Sequence, residues 1–232
     1  MLENAEYLAT GIVVYRDVFK ASLDLQNRLG KIISEGAEDN LGWNDAYTGY
    51  GVKNLKYRDC SDFKVKYNDN KSLTLNYENI QEEDQKPIHK DIANLWKDAY
   101  EVQQDPVNDY SRMFNLAPLK YWESFNFIQY NANQHFQIHS DHGYSYTCVL
   151  SSVGYLNDDY EGGELFFDKL NLKIKPKAGD LYLFPSSFVY SHAAMPVTSG
   201  TKYSIVTMLD YLETAHTPEY REIEARYSKN LL

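Results

Sequence analysis

The sequence predicts an α+β domain in which helices come first and a β core of about eight short strands follows, of sandwich or jelly-roll type. Three observations predict it. Leu25, Leu29, Ile32 and Ile33 fall on one helical face, and Ile88, Ile92, Leu95, Trp96 and Ala99 do the same just after Pro87, a residue favoured in a first helical turn. From Tyr121 onward the texture changes to short apolar runs parted by turn signals such as Asn131-Ala132-Asn133, Asn157-Asp158-Asp159, Glu161-Gly162-Gly163 and Lys177-Ala178-Gly179-Asp180. The 21 tyrosines suit half-buried strand positions.

Taken in order, residues 7–15 read as a strand and 18–34 as a helix, while 35–70, rich in Gly, Asn, Asp and Tyr, reads as long loops with a short strand. Part of it, 40–60, is a candidate lid. A second helix begins near Pro87. Strands follow at 122–130, 136–141, 146–156, 164–168, 171–175, 180–184, 191–197 and 202–210. The tail after Glu213 reads as a helix docked through Tyr220, Ile223 and Tyr227. The organisation expected is a single domain over 1–232: helical and loop support with an N-terminal strand over 1–120, a catalytic β core over 121–211 and a C-terminal helix over 212–232.

Composition narrows the function. With 43% hydrophobic and 24% charged residues, the chain has the makings of an ordinary globular core. A net charge of −10 opposes broad contact with a phosphate backbone, so no nucleic-acid partner is expected. No run of about 18 apolar residues suggests a membrane span. The first residues, Met1 to Glu6, are acidic and lack the apolar run of a signal peptide. Two cysteines, Cys60 and Cys148, then read as reduced thiols, and a cytoplasmic location is the expectation.

Chemistry gathers around Gln137-Ile138-His139-Ser140-Asp141-His142. In a strand, positions i and i+2 share a face, so His139 and Asp141 project together. A His-x-Asp triplet is common near turns and says little alone. His135 would share that face in a regular strand and competes for the role; His142 points the other way. His89 and His216 read as surface residues. A third ligand is expected from His192, which follows the apolar strand Leu181-Tyr182-Leu183-Phe184. Two histidines and one carboxylate leave three positions of an iron(II) ion open, as non-haem oxygenases require. Ten positions beyond His192, Lys202 opens a mostly apolar strand. A lysine there is costly unless paired, and the distal carboxylate of 2-oxoglutarate would pair it, with Tyr130 offering a hydroxyl. The competing reading of Lys202 is a strand-end lysine reaching out to water.

Over residues 121–211 these motifs, in order, resemble the 2-oxoglutarate/iron(II)-dependent oxygenases, in particular the prolyl 4-hydroxylase-like branch. Tyr130 to Gln134-x-Phe136-x-x-His139-x-Asp141 is similar to that family's entry into its metal site, Glu161-Gly162-Gly163-Glu164-Leu165-x-Phe167 to its central hairpin, and Pro176-Lys177-Ala178-Gly179-Asp180 with Phe184-Pro185 to the approach to its second metal histidine. The resemblance implies a double-stranded β-helix, a jelly-roll or cupin-like core with supporting N-terminal helices. It implies iron at His139, Asp141 and His192 and oxoglutarate at Lys202 and Tyr130. Three departures stand out: Leu165 where many members have Thr, Met208 where many have Trp, and Asn133 where the turn carries Gly. The Asn- and Tyr-rich style is also similar to oxygenases carried by phages, which would act in the host cytoplasm.

The implied activity consumes iron(II), 2-oxoglutarate and O2, with ascorbate a candidate auxiliary, and hydroxylates a C–H bond. A prolyl residue in a peptide or protein is the first substrate choice, lying in a groove for which Tyr144, Tyr146, Trp122 and Tyr160 are candidates. The alternatives are a hydroxylase of a free amino acid or small metabolite, and a non-enzymatic metal-binding jelly roll. The lysine distinguishes the last, because a simple metal module has no use for it.

Overall fold

A computed structural model describes residues 1–37, 41–47, 53–65, 86–143 and 147–216. Two antiparallel sheets face each other, and two helices cover the outer face of the larger one. The chain opens with a hairpin, Ala5–Ala9 (β1) and Ile12–Tyr15 (β2), where one strand over 7–15 was expected. Gly11, at φ 75, supplies the left-handed turn that splits it. Helix α1 (Leu25–Glu35) starts later than the spacing suggested, because Asp24 at φ 50 separates it from a short 3-10 turn at Ala21–Leu23. The loop-rich stretch contributes three short strands, Asn44–Asp45 (β3), Arg58–Asp59 (β4) and Ser61–Val65 (β5). Helix α2 (Pro87–Met113) begins at the expected proline.

The strands then follow closely at Tyr121–Trp122 (β6), Phe125–Tyr130 (β7), His135–His139 (β8), Leu150–Tyr155 (β9), Glu161–Gly162 (β10), Leu165–Phe167 (β11), Leu172–Ile174 (β12), Leu181–Pro185 (β13), His192–Ala194 (β14), Val197–Ser199 (β15) and Lys202–Asp210 (β16). The larger sheet runs β1-β2-β13-β9-β16-β7-β5-β3, with β6 also on β16. The smaller runs β12-β11-β14-β8-β4, and β10 pairs with β15. This is the expected double-stranded β-helix, but the larger sheet also takes in β1, β2, β3 and β5 from the N-terminal 120 residues. The expected helix after Glu213 begins as a 3-10 turn at Glu213–His216, and the rest of it lies outside the described residues.

Alternation along the strands sorts the side chains. On β7 and β16, Phe125, Phe127, Ile205 and Leu209 face α1 and α2 and build the main core with Leu29, Ile32, Ile92 and Leu95. Their neighbours Asn126, Ile128, Tyr130, Lys202, Ser204 and Val206 face the space between the sheets. Sheet register aligns these into cross-strand rows, Tyr130 beside Lys202, Ile128 beside Ser204 and Asn126 beside Val206. The polar side chains therefore line a slot rather than scatter over the surface.

Two histidines expected at the surface are buried. His89 caps α2 by accepting the Lys86 N–H on Nδ1, and His216 stacks on Tyr121 with ring centres 3.6 Å apart and bonds Asp210 at 3.0 Å. Cys60 and Cys148 are free and buried.

Candidate active site

The slot between the sheets holds a cavity of about 460 Å³, lined by residues from both. On the smaller sheet, His192 of β14 stands directly opposite His139 of β8, their ring centres 4.5 Å apart. Nδ1 of His139 lies 2.8 Å from the carbonyl of Gln137, and Nδ1 of His192 lies 3.1 Å from that of Tyr190. Each carbonyl can only accept, so each Nδ1 carries a proton, and in the neutral ring this leaves Nε2 with the free lone pair. Both Nε2 atoms face Asp141: His139 at 3.4 Å from Oδ1 and His192 at 3.8 Å from Oδ2. The three side chains offer ligand atoms within 4.8 Å of one another, and no other such trio occurs among the described residues.

Asp141 does not reach this position as expected. Strand β8 ends at His139, so the carboxylate projects from a bend and not from the pleat of a strand over 136–141. Strand β8 is also irregular: its register with β14 shifts between the His192 and Ala194 pairings. Phe136, not His135, therefore stacks on His139, at 3.6 Å between ring centres. His135 turns away to the carbonyls of Lys56 and Asn133, which removes it as a rival ligand. His142 is occupied by the backbone of Cys148.

The protonation states suit a metal. Burial pushes the His192 imidazole down to about 4, so it is neutral at pH 7. Burial alone would raise Asp141, but the facing imidazoles of His192 and His139 and the Ser151 hydroxyl outweigh it and hold the carboxyl at about 2. A donor set of two oriented imidazole nitrogens and one carboxylate oxygen is what a divalent transition ion takes.

Lys202 lies on the facing sheet and is only 2% exposed. It does not reach out to water. Its ammonium donates to the Gly163 carbonyl at 2.8 Å and sits 4.8 Å from the ring centre of Tyr130 and 5.3 Å from that of Tyr155. Among the described residues it forms no ion pair, and burial, helped by the charge of Lys175, pushes it down to about 7. The Gly-Gly motif explains the close fit. Gly163 has φ 65, and a Cβ there would come 3.1 Å from Cδ of Lys202. Tyr130 is buried, and its hydroxyl is turned to Cys60, so its ring rather than its hydroxyl meets the lysine.

Several lining residues escaped the sequence reading. Ser204, two residues after Lys202 on the same face, is 3% exposed, and its hydroxyl has no hydrogen-bond partner among the described residues. Arg58 and Lys64 enter the cavity from β4 and β5. Only two residues of β4 pair with β8, too short a run to be seen as a strand. Among the candidate groove residues, Trp122 packs on Tyr100 and Phe125, and Tyr160 packs in a small core beneath Lys175. Tyr144 and Tyr146 lie outside the described residues, as does part of the candidate lid; Tyr47 of the lid lines the cavity.

The sequence model of the 2OG-Fe(II) oxygenase superfamily matches residues 125–209. The chain is 31% identical over 138 residues to a provisionally named prolyl 4-hydroxylase of Acanthamoeba polyphaga mimivirus, covering 49% of this chain and 57% of the relative. It is 34% identical over 87 residues to prolyl 3-hydroxylase 3 of Homo sapiens, covering 35% and 11%. The chain thus spans little more than half of the viral relative and a small part of the human one. Its fold is that of a Trichoplax adhaerens prolyl hydroxylase solved with a hypoxia-inducible-factor peptide (TM-score 0.62, 14% identity, 87% and 84% covered). It is likewise that of a Pseudomonas putida prolyl-4-hydroxylase (TM-score 0.60, 17% identity, 86% and 92% covered).

Proposed function

We propose, for a chain whose residues 125–209 place it in the 2OG-Fe(II) oxygenase superfamily, that it hydroxylates prolyl residues in a peptide or protein. The superfamily implies iron(II), 2-oxoglutarate and O2. The observation that carries the reading is the pairing of two features in one cavity: a His-Asp-His trio on one sheet and, on the other, a buried ammonium with no ion-pair partner among the described residues.

In this reading His139, Asp141 and His192 hold the ion through one atom each. Their hydrogen bonds to backbone and Ser151 keep the donors aimed before any ion arrives, so little reorganisation opposes binding. Lys202 and Ser204 grip the distal carboxylate of the oxo-acid, with Ser204 supplying the hydroxyl that Leu165 lacks. When bound, iron(II) with oxoglutarate and O2 supplies the oxidative decarboxylation to succinate and CO2 and the hydroxylation of a substrate C–H bond. The aromatic and aliphatic walls, Phe136, Val153, Leu165, Ala194 and Val206, keep that region dry. Arg58, Lys64 and Tyr47 stand where the N-terminal strands meet the cavity and would contact the peptide.

The test is mass spectrometry of a panel of proline-containing peptides incubated with the protein, iron(II), oxoglutarate and ascorbate. A one-oxygen increment localised to proline supports the reading. Succinate release with free amino acids alone would move the substrate to that class, and metal uptake without any succinate would refute the enzyme.

A further inference from the structure

We propose that Ser151, backed by Ser186, is a positioning residue that makes Asp141 bind the metal through one oxygen only. The proposal rests on the reading of His139, Asp141 and His192 as metal ligands. Asp141 stands beyond the end of β8, where no strand ladder holds it. What holds it instead comes from β9 and from the end of β13. The Ser151 hydroxyl lies 2.6 Å from Asp141 Oδ2 and 2.8 Å from the Ser186 hydroxyl. The Ser186 carbonyl accepts the backbone N–H of His142, next to the aspartate, at 2.9 Å.

Counting protons fixes the direction of the chain. An ionised carboxylate only accepts, so the single hydroxyl proton of Ser151 goes to Asp141. Ser186 must then donate to Ser151. Every donor points towards the carboxylate. Ser151 is 0% exposed and Ser186 2%, and Ser151 follows the apolar pair Val149-Leu150 at the start of β9. Two hydroxyls there are costly unless they hydrogen-bond, and the chain to Asp141 is the use they are put to. With Oδ2 engaged, Oδ1 is the oxygen left for the metal, on the side of His139. A carboxylate held to one bond would leave more of a bound ion's positions free for co-substrates than a two-bonded one.

The experiment titrates Co(II), as a spectroscopic stand-in for iron(II), into the metal-free full chain by calorimetry and visible absorption, alongside thermal unfolding. Ser151→Ala is expected to weaken Co(II) binding by roughly 10–100-fold and to change the Co(II) absorption bands, while the metal-free unfolding temperature stays near that of the wild type. Ser151→Thr, which restores the hydroxyl, is expected to recover most of the affinity and the original bands. Wild-type affinity and bands in Ser151→Ala overturn the proposal, as does a Thr variant no better than Ala. Should Ser151→Ala fail to fold, Ser186→Ala decides: a smaller but measurable loss of affinity supports the relay, and wild-type affinity overturns it. A wild-type chain that takes up no Co(II) overturns the metal reading itself, and this proposal with it.

Discussion

His139 and His192 oppose each other on one rung of the β8–β14 ladder, and each ring is locked by the carbonyl two residues before it in the chain. One local geometry, used twice, aims two Nε2 atoms at the same carboxylate. Changing either ring should therefore remove metal binding and not merely perturb it. His192→Ala is expected to bind no Co(II) measurable by calorimetry and to release no succinate. Because His192 is buried against Phe167 and Phe184, the cavity left behind should also cost about 1–3 kcal/mol in urea unfolding. Full succinate release by this variant would sink the ligand assignment.

With Lys202 as the proposed partner of the distal carboxylate, oxoglutarate binding is expected to depend on pH. Burial pushes its ammonium down to about 7, and a bound carboxylate would need it charged. Below that value the charged form is already present. Above it, each binding event must take up a proton, so affinity is expected to fall by about tenfold per pH unit between roughly pH 7 and the pKa of the bound state. Calorimetry in two buffers of different ionisation enthalpy measures that proton directly.

The same lysine gives a stability signature of definite sign. Its folded pKa lies below the unfolded value of 10.5, so the unfolded chain binds more protons between about pH 7 and 10.5. This group therefore destabilises the fold fully below about pH 7, and stability rises with pH through that window. Lys202→Met should raise the unfolding temperature at pH 6, flatten the rise from pH 7 to 10, and abolish oxoglutarate binding. Parallel pH profiles for the two proteins would contradict the buried charge.

Ser204→Ala separates co-substrate from substrate. Loss of a hydrogen bond to a charged group costs about 1.5–3 kcal/mol, so the oxoglutarate KM should rise by roughly 10–150-fold while the KM for peptide changes little. Gly163→Ala acts on the same end of the cavity by a different route. It forces a Cβ residue to φ 65 and against Lys202, and should cost about 1–2 kcal/mol in chemical unfolding.

Much of the site was legible because its parts are local. The His139-x-Asp141 spacing, the stretch from His192 to Lys202 and the Gly162-Gly163 turn each act within a few residues of themselves. What stayed hidden depends on pairing between distant segments. Arg58 joins the site only because β4 meets Phe136 and His135 across the sheet, and Lys64 because β5 lies in register with Asn126. Ser151 carries no local signal, because its partners Asp141 and Ser186 are 10 and 35 residues away in the chain. The expected alternation around His139 failed for a related reason, since a register shift against β14 cannot be read from β8 alone.

Strands β2 and β5 flank the β13-β9-β16-β7 part of the larger sheet, setting Tyr15 against Leu181 on one side and Phe63 against Phe127 on the other. The stretch from 125 to 209 is thus an inlay and not a portable cassette. Cut free, it would carry two bare hydrogen-bonding margins and an apolar face stripped of its helices, a surface prone to self-association. Any chimera that transplants the chemistry into another scaffold must carry the hairpin and the 58–65 segment along with it.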